Sequence, residues 1–80
     1  MIDDTALTGL IRARIPDARV EIYDRTGTMD HFNLTIVSDA FHGKSLLDQH
    51  KLVYGALEAA LKDGRVHAVE LKTIAPTEKP

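Results

Sequence analysis

The hydrophobic period of this chain switches twice between residues 32 and 73, and no other feature limits the fold as strongly. Phe32, Leu34 and Ile36 alternate with His31, Asn33 and Thr35, the period of two expected of a strand with one covered face. From Ser45 to Asp63 the period lengthens to that of a helix, and Leu46, Leu47, Val53, Tyr54, Leu57 and Leu61 fall in one arc. At 1.5 Å per residue such a helix is about 28 Å long. Ser45 stands where an N-cap belongs, with the acid Asp48 three residues on, and Gly64 supplies the stop. The period of two returns at once in Val66-His67-Ala68-Val69-Glu70-Leu71-Lys72-Thr73. The last strand follows a helix that crosses the sheet, so it can lie parallel to one of the strands before that helix.

Upstream, Asp3, Asp4 or Thr5 can cap a first helix that carries Leu7, Leu10 and Ile11 at helical spacing. Arg12 and Arg14 stand near its C-terminal end, where the dipole favours cations, and Pro16 ends it. Gly9 weakens this helix by about 1 kcal/mol relative to alanine unless close packing requires it. Arg19 to Tyr23 reads as a short strand with Val20 and Ile22 on one face. The polar segment Asp24 to Asp30 joins it to the next strand as a hairpin with a long tip. The order helix, strand, strand, helix, strand predicts an α+β domain with a three-stranded mixed sheet covered by helices on one face. Its core should span about residues 5–76, with Pro76 to Pro80 as a frayed tail.

Composition excludes several function classes. Eighty residues bury only about 60–65% of their unfolded surface, too little for a deep enclosed active site. There is no cysteine, so disulfides, thiol catalysis and thiolate zinc sites are out of reach. No nucleophile constellation, paired-carboxylate motif or metal-hydrolase spacing points to an enzyme. The net charge of −2 offers no global attraction to nucleic acid. No apolar run approaches the roughly 20 residues that span a bilayer. Met1-Ile2-Asp3-Asp4 lacks the start of a signal peptide, and the expectation is a cytoplasmic protein with no membrane partner.

Four pieces in order carry a family resemblance: a strand ending at Ser38, the turn Phe41-His42-Gly43-Lys44, a long helix bearing His50-Lys51, and a strand opening on His67-Ala68. Together they resemble the BolA family over nearly the whole chain. The resemblance implies a KH-like fold of the second topological type, with a short helical turn before the long helix. It also implies a non-enzymatic adaptor that pairs with a monothiol glutaredoxin in binding or trafficking a [2Fe–2S] cluster, or in iron sensing. In that role His67 is the expected cluster ligand, while the glutaredoxin and glutathione supply thiolates. Replacing thiolate by imidazole on one iron raises the reduction potential.

Family members usually add a second ligand, cysteine or histidine, from the loop between the first two strands. Here that loop contains neither, and Thr28 stands about where the cysteine would fall. Thr26, Gly27, Thr28, Met29 and Asp30 would then form the partner-facing side of the site. His31, at the loop's end, is the nearest substitute ligand, although its parity places it opposite Phe32, Leu34 and Ile36. Asp24 and Asp30 are hard oxygen donors, ill suited to iron in a sulfide cluster.

An alternative function, also associated with the family, is a KH-like nucleic-acid-binding transcriptional regulator. Gly43, Lys44 and Lys51 would supply anion or backbone contacts at the start of the long helix. Gly43-Lys44-Ser45 is not a phosphate-binding P-loop, because Ser38 stands where that motif needs glycine. Lys44, Lys51 and Lys62 project onto one stripe, flanked by Asp48 and Glu58, which also describes an ordinary solvated face. His50 falls in the apolar arc and reads as a hydrogen-bonded, partly buried structural histidine, and His42 as a surface residue.

Overall fold

The computed structural model describes residues 3–24, 31–66 and 68–76, with Asp24 and His31 as backbone. The first helix, α1 (Asp4–Arg14), starts at Asp3, whose carboxylate accepts from the Ala6 amide at 2.8 Å. It stops where the sequence requires: Ile15 precedes Pro16 and has left helical geometry. Strands β1 (Arg19–Asp24) and β2 (His31–Val37) pair antiparallel, with Ile22 opposite Leu34 and Val20 opposite Ile36. A 3-10 turn over Asp39–Phe41 follows, the helical turn that the family resemblance implies. The long helix α2 (Leu46–Lys62) is capped by the Ser45 hydroxyl, which accepts from the Asp48 amide. Gly64, at φ +84°, takes the left-handed stop.

Strand β3 (Ala68–Ile74) lies parallel to β2, in the sheet order β1-β2-β3. The result is the expected mixed sheet with both helices on one face. Phe32, Leu34 and Ile36 of the central strand are buried against Leu7, Ile11, Val53, Leu57 and Ala60. Burying each large apolar side chain contributes roughly 1.5–3 kcal/mol. Pro76 is the last residue described, and the expected tail beyond it lies outside the described residues.

The long helix departs from its expected arc. Val53, Leu57 and Ala60 are its buried positions, while Leu46, Leu47 and Tyr54 are 62%, 63% and 41% exposed. A helical projection finds an apolar sector but not where neighbours lie around it. Here α1 takes one side of α2, with Arg14 against Gly55, and this leaves Leu47 and Tyr54 uncovered on another flank.

Candidate functional site

One end of the sheet carries the described neighbours of most of the residues that the sequence singles out. The chain leaves β1 at Asp24 and enters β2 at His31, and His31 pairs in register with Ala68 at the start of β3. Thr26, Gly27, Thr28, Met29, Asp30 and His67 lie outside the described residues. On one side of position 67 is Val66, 1% exposed within the core. On the other is Ala68, in the parallel ladder with β2.

The approach to position 67 is fixed by the end of α2. The Asp63 amide donates to the Ala59 carbonyl at 3.0 Å, and the Val66 amide to the Ala60 carbonyl at 3.1 Å. Asp63 accepts from the Arg65 amide at 3.0 Å and from its guanidinium at 2.9 Å. The Arg65 amide first, and then its side chain, hold the Asp63 carboxyl below the usual value. A helix stop, a closed Asp–Arg turn and a core valine thus bring the chain into the β3 edge beside β2. The sequence reading finds Gly64 but misses the Asp63–Arg65 pair, for which no periodic signal exists.

The possible anion site lies elsewhere. Gly43 sits at φ +76°, the Lys44 amide donates to the Phe41 carbonyl, and the Lys44 side chain is exposed. All of this follows the far end of β2. The strand's seven residues at about 3.3 Å each put that end roughly 20 Å from His31. Lys44 also precedes the Ser45 cap, so it leaves the helical stripe that joins Lys51 and Lys62.

His42 is 54% exposed, with Nε2 3.6 Å from an Asp39 oxygen. His50 is partly buried as expected, but its Nε2 has no hydrogen-bond partner among the described residues. A helical projection shows that a histidine turns inward, not what polar groups it meets there. Among the described residues no group of three or more histidine, cysteine, aspartate or glutamate side chains could hold a metal ion. Among the described residues no helix is long and apolar enough to cross a membrane.

The far end carries a clamp with no local sequence signature. Asp17, after α1, accepts from the Ser38 hydroxyl and from the Asp39 amide at 2.9 Å, while the Ser38 oxygen accepts from the Ala40 amide. The Ser38 hydrogen bond, followed by that from the Asp39 amide, lowers the Asp17 pKa.

Residues 11–78 match the family model described as BolA-like protein. The chain belongs to the BolA family. It is 36% identical over 69 residues to the uncharacterized protein RP812 of Rickettsia prowazekii, covering 86% of this chain and 88% of that one. It is 52% identical over 48 residues to SufE-like protein 1, chloroplastic/mitochondrial, of Arabidopsis thaliana. That match takes in 60% of this chain but 13% of the relative. Among solved structures, BolA1 from Arabidopsis thaliana superposes with a TM-score of 0.81 at 28% identity, covering 99% of this chain and 100% of that one. The α+β arrangement is thus that of known BolA structures.

Proposed function

We propose that this chain is a non-enzymatic BolA-like adaptor that pairs with a monothiol glutaredoxin in [2Fe–2S] cluster binding, trafficking or iron sensing. The observation that carries the reading is the register pair His31–Ala68. Parallel pairing brings His31, where the chain enters β2, and Ala68, the residue next to His67, to one end of the sheet, although they are distant in sequence. The SufE-like relative supports the module character, since there a BolA domain is one part of a longer protein.

The donor set sets the terms of cluster binding. With no cysteine, the chain brings imidazole but no thiolate to this end. That fits a minority ligand in a cluster whose remaining ligands come from glutaredoxin and glutathione, and does not fit a cluster held by this chain alone. His67 is the proposed ligand, with His31 the substitute for the missing loop ligand and residues 26–30 as the partner-facing surface. An imidazole-ligated iron would give the shared cluster a raised potential.

The nucleic-acid reading has less support. Gly43, Lys44 and Lys51 lie toward the other end of the domain, where exposed Asp39 and Asp48 stand among the cations.

The test is reconstitution of the chain with a monothiol glutaredoxin, glutathione, iron and sulfide, followed by visible circular dichroism and size-exclusion mass. The expected result is a heterodimer with a cluster spectrum that His67→Ala abolishes, while His31→Ala reads out the second ligand. Absence of any heterodimer would sink the proposal.

A further inference from the structure

The uncovered flank of α2 has an internal symmetry. Leu47, Tyr54 and Leu61 recur at intervals of seven and so form a seam along one side of the helix. Leu47 and Tyr54 are 63% and 41% exposed, and Leu61 is partly buried at the margin of the core. A shallow groove runs beside the seam, lined by Tyr54, Gly55, Glu58, Leu61 and Lys62, and Arg14 of α1 closes it beyond Gly55. Among the side chains of α2, the two charges nearest Tyr54 are exposed and of opposite sign: Lys51, three residues before it, and Glu58, four residues after it.

We propose that this flank is the contact between two copies of the chain, packed antiparallel about a two-fold axis beside Tyr54. Under that axis Leu47 of one copy faces Leu61 of the other, and Tyr54 faces its own counterpart. At 1.5 Å per residue, Lys51 and Glu58 lie about 4.5 and 6 Å on either side of Tyr54. The antiparallel pairing therefore brings Lys51 of each copy to within about 1.5 Å, along the axis, of the level of Glu58 in the other. This makes two reciprocal ion pairs, as an interface built from one patch meeting itself requires. A parallel two-fold would put the two Lys51 at one level and the two Glu58 at another, on opposite flanks of the seam, and would form no such pair. The charge pattern thus favours one occupant, a second copy, and one orientation. The Lys62 stem of one copy can lie along Leu47 of the other with its ammonium in water.

A helix of 17 residues with a three-residue seam buries less than the roughly 1,600 Å² of a standard interface. The dimer is therefore weak and forms at about 0.1–1 mM protein.

The test is sedimentation velocity and amide chemical-shift change on dilution of the intact chain, from about 2 mM to about 20 µM at low salt. The wild type should pass from dimer toward monomer, with shift changes along α2. Lys51→Glu or Glu58→Lys alone should weaken association about three- to tenfold, given two exposed pairs per dimer. The double variant should restore it to within about twofold. Tyr54→Asp should be monomeric, with far-ultraviolet circular dichroism confirming its fold. A wild type that stays monomeric at 2 mM overturns the proposal, as does a double variant no better than the singles. So does a Tyr54→Asp variant that loses glutaredoxin while the wild type never self-associates, which would give the flank to a different partner.

Discussion

Asp17 and Ser38 stand 21 positions apart, yet their hydrogen bond joins the turn after α1 to the end of β2. The carboxylate also accepts from the Asp39 amide, so both its oxygens are occupied. These bonds stabilise the charged form and lower its pKa below the ordinary value of 3.8. Because the folded-state pKa is the lower one, the stabilisation is present above the unfolded pKa. It fades as pH falls below about 4 and is gone below the folded pKa. Asp17→Asn keeps one acceptor oxygen but puts an amide nitrogen where the other stood. The expected result is lower stability at neutral pH and a shallower loss below about pH 4 than in the wild type, read from urea midpoints across pH. An unchanged acid limb would contradict this account. Neither residue is marked by its neighbours in sequence. By contrast Ser45, Gly64 and Pro16 act on bonds within a few residues, and their roles are legible by inspection.

At the scale of elements, the helices show how far periodicity can be trusted. In α1 the apolar spacing of Leu7 and Ile11 coincides with their burial, because both point into the core that this helix shares with α2 and β2. Gly9, in the same helix, has nothing within 4 Å of where a Cβ would stand. Its only consequence is the larger conformational entropy it gives the unfolded chain. Gly9→Ala should therefore stabilise the protein by about 0.5–1 kcal/mol, visible as a rise in thermal midpoint; a fall would mean that the exposed face of α1 is not as open as it stands. In α2 the apolar sector is wider than the contact area. Leu46, Leu47 and Tyr54 belong to the sector but not to the core. Only the positions of α1 and the sheet separate Leu57, at 0% exposure, from Tyr54, three residues earlier.

At the scale of the whole molecule, the buried residues of α1, α2, β2 and the 3-10 turn form one cluster, and β2 pairs with both other strands. None of these four elements can leave without opening that cluster. Heat unfolding followed by far-ultraviolet circular dichroism and by tyrosine fluorescence should give coincident transitions, and a separate early transition would show an independent subunit of structure. The element order, the α+β class and the family are all legible in the sequence, because local period, caps and stops act over distances of a few residues. The chain's inability to supply thiolate is equally a fact of composition. What sequence could not decide was proximity: that β3 lies parallel beside β2, that His31 faces Ala68 in that ladder, that Lys44 is at the other end, and that one flank of α2 is left open. Those depend on how helices and strands close around a shared core, and packing of that kind is a property of all the elements at once.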